Sequence, residues 1–385
     1  MKYLVILGDG MADEPLEELG GKTPLEYAEI PNMDTIAREG ACGMLRTIPD
    51  LCDPGSDVAN LSILGYDPVV YYTGRGPLEA VSMGVSLSND DIAYRCNLVT
   101  VIDEVMTDFS AGHISSTEGR ELFDSLEHAL PQVRVKAGIS YRNLLVVPEG
   151  QGAITVAPHD IVGQPLSGYL PTKGDAPLLK MCMEISREIF SCHPVNLKRK
   201  MAGKPSATQI WPWSGGKKPA LPLFRMKYGL SGGMISAVDL LNGIAEYAGM
   251  ERIMVPGATG YLDTDYQAKA EYALRALGHL DFVYLHVEAP DEAGHLGSID
   301  EKVKAIERLD ELIGTILDGF SGVIAVLPDH PTPIRAKTHT RDPVPFAVLG
   351  LGRDTTIQYS EREAVKGDFG LRDARDFLNM LFSAR

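Results

Sequence analysis

Tyr3-Leu4-Val5-Ile6-Leu7-Gly8-Asp9-Gly10 opens the chain with five consecutive apolar residues and sets a carboxylate between two glycines at their end. An apolar run this short, with no polar alternation, reads as a strand covered on both faces, the environment of a parallel sheet. The same form recurs at 252–255, 281–287, 322–327 and 346–349, each run ending in Gly, Pro, Asp or His. Between these runs, 235–248, 266–277 and 300–317 carry apolar residues at three- and four-residue spacing, the pattern of one-sided helices. Asp300 is the expected N-cap of the last helix, with Lys302 and Lys304 on its solvent side. Strand alternating with helix predicts a doubly wound α/β core.

The middle of the chain has a different texture. Residues 92–102 alternate like an antiparallel strand, and 141–147 with 152–156 read as a hairpin across Pro148-Glu149-Gly150. Helical patterns at 116–130 and 178–190 complete an α+β region, and basic residues 198–218 read as a connector. The expected organisation is a discontinuous core, 1–79 and 196–385, interrupted by an inserted domain at 80–195.

Hydrophobic residues make up 44% of the 385 and charged residues 23%, enough for a sizeable core. The net charge of −16 argues against nucleic acid or an anionic membrane as partner. No apolar run approaches the ~18 residues of a membrane helix, and the opening run is too short for a signal peptide. A cytoplasmic location is the default, and the five cysteines, with no C-x-x-C pair, fit a reducing compartment. Composition says nothing about oligomeric state.

Chemistry concentrates where the parallel strands end, the usual place for a site in an α/β sheet. Asp9 follows the first strand. Pro54-Gly55-Ser56-Asp57-Val58-Ala59-Asn60 puts a serine at a helix start, where N–H groups favour phosphate. Asp291 and His295 are four residues apart, on one face of a helical turn, and suit a divalent metal. Asp329-His330 leaves another apolar strand, and His339 follows nine residues later. An Asp-His pair is costly to bury unless paired or metal-bound. Together Asp9, Ser56, Asp291, His295, Asp329, His330 and His339 could hold two divalent ions ~3.5–4 Å apart around a serine nucleophile. Gly20-Gly21-Lys22-Thr23 imitates the end of a P-loop, but Leu16 stands where its first glycine belongs and Pro24 follows, so it reads as a turn.

With those clusters in place, the chain resembles the alkaline phosphatase superfamily, and within it the cofactor-independent phosphoglycerate mutases of the archaeal type. The resemblance spans nearly the whole length and rests on Gly8 to Asp13, Gly55 to Pro68, Tyr72 to Ala80, Tyr94 to Thr100, Ala111 to Ser115 and Asp291 to His295. It implies an alkaline-phosphatase-like core with one metal held by Asp9, Ser56, Asp329 and His330, and another by Asp291, His295 and His339. Manganese, magnesium or zinc fits such a set. It further implies that Ser56 takes the phosphoryl group of phosphoglycerate as a transient phosphoserine and returns it to the other hydroxyl, interconverting 2- and 3-phosphoglycerate. The inserted domain would exclude water, with Arg75, Arg95, His113 and Arg142 contacting the carboxylate and phosphate. The chain departs from the bacterial-type pattern, which has glutamate after the serine and histidine four residues beyond it; here those residues are Asp57 and Asn60. The alternatives are a homoserine-kinase-like phosphotransferase and a phosphatase on a small phosphorylated metabolite.

Overall fold

The computed structural model describes residues 1–383. They form two compact units: residues 1–72 with the chain from 220 onward, and residues 73–219.

The first unit is built on an eight-stranded sheet. Its spatial order is Gly370–Asp373, Ala41–Arg46, Val344–Leu349, Val323–Leu327, Tyr3–Gly8, Phe282–Val287, Gly232–Ile235 and Glu251–Arg252. All run the same way except Val344–Leu349, which is antiparallel to both neighbours. Leu7 lies level with Leu327 on one side, and Gly8 with Val287 on the other. Asp9, Glu288 and Asp329 therefore emerge side by side at one end of the sheet.

Both faces of the sheet are covered, as its unbroken apolar strands require. Leu4, Ile6, Val283 and Leu285 share a core with Ala270 and Ala273 of the helix Tyr266–Ala276 and with Ile306, Leu309 and Ile313 of the helix Ile299–Gly319. On the other face Tyr3 and Phe282 pack edge-on against Phe382, and Phe224 stacks on Phe282 with centroids 5.1 Å apart. Each fully buried large apolar side chain contributes about 1.5–3 kcal/mol, so the three central strands form the rigid part of the unit.

Several expectations are corrected here. Val344–Leu349 is antiparallel because 328–343 contains no helix, and a parallel return needs a crossover of that kind. The helix expected from 235 is a strand, Gly232–Ile235, followed by the helix Asp239–Tyr247; two glycines disguised the strand. Of the strand expected at 252–255 only Arg252 pairs, in the short edge strand Glu251–Arg252, and the strands Ala41–Arg46 and Gly370–Asp373 were missed. The long helix is capped by Ser298, whose hydroxyl accepts the Glu301 N–H at 3.3 Å, because Asp300 already lies in the first turn. Lys302 does not face solvent: it lies four residues before Ile306 on the apolar stripe and is fully buried. Its ammonium donates to the Asp13 carboxylate (2.7 Å) and to the carbonyls of Thr332 (2.8 Å) and Ala12 (3.2 Å).

In the second unit Ile92–Ile102 is the central strand, paired antiparallel with Val105–Asp108, Arg142–Val147 and Gln209–Gly216; Arg134–Ile139 completes the sheet on Arg142–Val147. The helices Ser116–Asp124, Ala176–Cys192 and Pro194–Met201 cover one face through Leu122, Phe123, Leu179, Phe190 and Val195. The hairpin across 148–150 does not form. Arg142–Val147 instead turns back onto Arg134–Ile139, and 152–156 makes one bridge, Ile154 to Thr172. Residues 198–218 are no connector either, since they hold a helix end, a strand and the buried Trp211. The unit thus starts earlier and ends later than 80–195: Glu79 pairs with Arg95, and Gln209–Gly216 joins the sheet. Among the described residues no helix is long and apolar enough to cross a membrane.

Replacing Lys302 with alanine leaves Asp13 buried without its cation. Urea unfolding of Lys302→Ala is expected to show a loss of about 3–5 kcal/mol; a loss under ~1 kcal/mol would mean that water takes over the ammonium's role.

Candidate metal centre

The first unit brings all seven predicted ligands to the C-terminal end of its central strands. Asp9 leaves Tyr3–Gly8, and Asp329 and His330 follow Val323–Leu327. Asp291 and His295 share a face of the helix Ala289–Leu296, as their spacing predicted. Ser56 is the first residue of the helix Ser56–Ile63, and His339 comes from the segment after His330.

Two clusters result. In the inner one, His330 Nε2 lies 3.1 Å from Ser56 Oγ, 3.4 Å from Asp9 Oδ1 and 3.6 Å from Asp329 Oδ2. In the outer one, His295 Nε2 lies 3.2 Å from Asp291 Oδ2 and 3.0 Å from His339 Nε2, and His339 Nε2 lies 3.6 Å from Asp291 Oδ1. Ligands about 2.0–2.2 Å from a tetrahedral ion stand roughly 3.3–3.6 Å apart, a spacing that suits the outer cluster; on the inner side it is Asp9, Asp291 and His330 whose ligand atoms lie within 4.8 Å of one another, with Asp329 outside that group. The inner carboxylates and His330 are fully buried, whereas the His295 side chain is 38% exposed.

Hydrogen bonds outside each cluster aim the ligand atoms inward. The Thr332 hydroxyl donates to Asp291 Oδ1 and accepts from His330 Nδ1 at 3.3 Å, which leaves the His330 Nε2 lone pair facing Ser56 and Asp9. His295 Nδ1 donates to the Lys337 carbonyl at 3.0 Å, which turns its Nε2 toward Asp291. His286 Nε2 donates to Asp9 Oδ2 at 3.0 Å, which leaves Asp9 Oδ1 buried with no hydrogen-bond partner. An orphaned carboxylate oxygen among ligands at metal spacing is what an absent cation would satisfy.

Electrostatics points the same way. Burial, then the Asp329, Asp291 and Glu288 carboxylates, push the Asp9 carboxyl well above its ordinary pKa. Burial and then Asp291 push Glu288 to about 8. Burial alone would raise Asp291, but hydrogen bonds from His295 and His339 outweigh it and hold Asp291 well below the usual range. Burial would likewise lower His295, and the Asp291 carboxylate outweighs it, taking that imidazole to about 9. Burial holds His286 near 3 and keeps His330 low, so both are neutral imidazoles, the form that binds metal.

Sequence reasoning missed five contributors. His286 and Glu288 form a further group with Asp9 whose ligand atoms lie within 4.8 Å of one another; a histidine inside an apolar strand was their available signal. Thr332 and Tyr284 gave none, and Asn60 showed only as a departure from the bacterial-type pattern, since each acts through a neighbour brought close by folding.

The substrate candidates all belong to the second unit. Arg95 is buried, bonded to Glu79 at 2.9 Å, and its guanidinium lies 5.1 Å from the Trp213 ring centre. Burial, then Arg142 and Arg75, lower its pKa against the pull of Glu79, so three guanidinium groups share one neighbourhood. Arg142 lies opposite Asn97 on the neighbouring strand, and Arg75 begins the helix Arg75–Ser82. His113 stands on an exposed loop, its ring 6.3 Å from that of Tyr141.

Comparison with known proteins agrees with this chemistry. Residues 37–196 match the family model described as 2,3-bisphosphoglycerate-independent phosphoglycerate mutase. The chain is 50% identical over 391 residues to the protein of that name from Methanothrix thermoacetophila, covering all of both chains. It is 51% identical to a second such protein from Methanothermobacter thermautotrophicus, over 99% of this chain and 97% of the relative. Among solved structures it is similar to the cofactor-independent phosphoglycerate mutase of Thermoplasma acidophilum, with a TM-score of 0.67 and 29% identity over the whole of both chains. The chain belongs to the family of 2,3-bisphosphoglycerate-independent phosphoglycerate mutases, which are isomerases.

Gly10 holds the approach between the clusters open. Its φ is +59°, and a Cβ there would fall 2.5 Å from both Asp291 Oδ1 and Thr332 Oγ1. Gly10→Ala is expected to weaken Mn²⁺ binding at least ~10-fold; calorimetry that finds wild-type affinity would show that these ligands are not held as rigidly as described.

Proposed function

We propose that this chain interconverts 2- and 3-phosphoglycerate through a phosphoserine on Ser56, with two divalent cations. One is held by Asp9, Ser56, Asp329 and His330, the other by Asp291, His295 and His339. The observation that carries the reading is Ser56 Oγ standing 3.1 Å from His330 Nε2, within the inner ligand set. When bound, divalent cations lower the pKa of the serine hydroxyl and offset negative charge on the phosphoryl oxygens.

In the forward step Ser56 gives up its hydroxyl proton and its Oγ forms an O–P bond, while the bond from phosphorus to the substrate's ester oxygen breaks and that oxygen takes up a proton. In the return step the neighbouring glycerate hydroxyl attacks the phosphoserine and loses its proton, and Ser56 regains its hydroxyl. Glycerate must stay bound between the two steps, and Arg75, Arg95, Arg142 and His113 are the proposed holders of its carboxylate and phosphate. The three guanidinium groups share one neighbourhood, with Arg95 paired to Glu79, and their planar forks suit a carboxylate or phosphate.

Metal-stripped protein reloaded with Mn²⁺ is expected to convert 3- to 2-phosphoglycerate, followed by ³¹P NMR. Phosphate release in place of the isomer would favour a phosphatase, and ATP-dependent phosphorylation of homoserine would favour a kinase. Ser56→Ala should lose at least ~10³-fold in turnover while still binding metal; substantial remaining activity would reject it as nucleophile. His295→Ala should lower the metal content from two ions per chain to one.

A further inference from the structure

Asn60 lies one turn beyond Ser56 on the helix Ser56–Ile63 and is fully buried. Its Nδ2 donates to the Ser56 carbonyl and to Asp329 Oδ2, both at 2.8 Å. Its Oδ1 accepts from the Tyr284 hydroxyl at 2.6 Å. Every polar group of the amide is thus engaged. The orientation is forced, because the Ser56 carbonyl and the Asp329 carboxylate only accept, so turning the amide over would set oxygen against two acceptors.

Tyr284 belongs to the central strand Phe282–Val287 and is itself fully buried, with its hydroxyl as its one polar group. Burial, then the Asp329 and Asp9 carboxylates, keep that hydroxyl protonated far above the usual range. It is a permanent donor fixed to the stiffest part of the sheet. Asp329 Oδ1 is separately held by the N–H groups of Gly10 (3.2 Å) and His330 (2.9 Å), while Asn60 holds Oδ2, the oxygen nearer His330 Nε2.

We infer that Asn60 is a positioning residue for the phosphoryl transfer: one amide ties the backbone of the nucleophile to a metal-facing carboxylate oxygen, and Tyr284 locks that amide. Ser56 and Asp329 are 273 positions apart in the chain, and Asn60 converts that separation into a fixed distance between nucleophile and ligand. The inference rests on the two-cation reading above.

The test uses the full chain, metal-stripped and then titrated with Mn²⁺ by calorimetry, with mutase kinetics on the same preparations. Asn60→Ala should weaken Mn²⁺ binding about 10–100-fold and lower kcat, with KM for 3-phosphoglycerate changed less than about twofold. Tyr284→Phe, which removes one hydroxyl, should shift both quantities the same way by a smaller factor. In the double variant Tyr284→Phe should add nothing to Asn60→Ala, because it acts through that amide. Wild-type affinity and kcat in Asn60→Ala, or fully additive effects in the double variant, would overturn the inference. If Asn60→Ala does not fold, Tyr284→Phe decides alone, and unchanged affinity and kcat in it would be the overturning result. Wild-type protein that binds no Mn²⁺ or forms no isomer would instead sink the two-cation reading, so the two failures are distinguishable.

Discussion

Four carboxylates crowd the end of three adjacent strands: Asp9, Asp291 and Asp329 are buried, and Glu288 is only partly exposed. Mutual repulsion and lost hydration make that arrangement untenable with all four ionised, and the upward displacement of Asp9 and Glu288 expresses this. Protonation is one relief and a cation is the other. The histidines decide between them, because His286 and His330 are kept neutral and cannot serve as counter-charges, yet neutral imidazoles are metal ligands. The architecture around the site consists of means of holding these groups where a cation would want them.

Those means lie at several depths. The strands fix the backbone of Asp9 and Asp329. Thr332 joins the clusters by giving a proton to Asp291 and taking one from His330, so neither ligand turns without disturbing the other. Behind Thr332, the buried Lys302 ties its carbonyl to Asp13 and Ala12, and thereby ties the segment after His330 to the loop carrying Asp9. On the opposite flank Asn60 and Tyr284 tie the nucleophile to Asp329. Arginine chemistry suited to an anion is assembled separately, on the antiparallel sheet of the second unit.

What could be read from residues alone follows a physical line. Strands buried on both faces announce themselves by unbroken apolar runs, so the central strands and the acidic and histidine residues gathered at their ends were legible; the shared face of Asp291 and His295 was legible because helical geometry fixes their relation locally. Gly232–Ile235 was hidden because glycine carries no side chain by which to betray burial. Lys302 was misplaced because a charged residue on an apolar stripe reads as an edge unless its partners, Asp13 and two carbonyls, are known. The direction of Val344–Leu349 depends on a connection without periodicity. Asn60 stood out only as the residue where the bacterial-type pattern has histidine, and its task depends on a tyrosine more than 220 positions away.

The sheet order also bears on how the chain is made. Tyr3–Gly8 ends up between Phe282–Val287 and Val323–Leu327, which leave the ribosome more than 270 residues later. During that interval its apolar edges have no partner, while residues 73–219 already contain every strand of their own sheet. At roughly 5–20 residues per second the wait lasts on the order of tens of seconds. The strand at the centre of the sheet is thus completed only after most of the chain has been made.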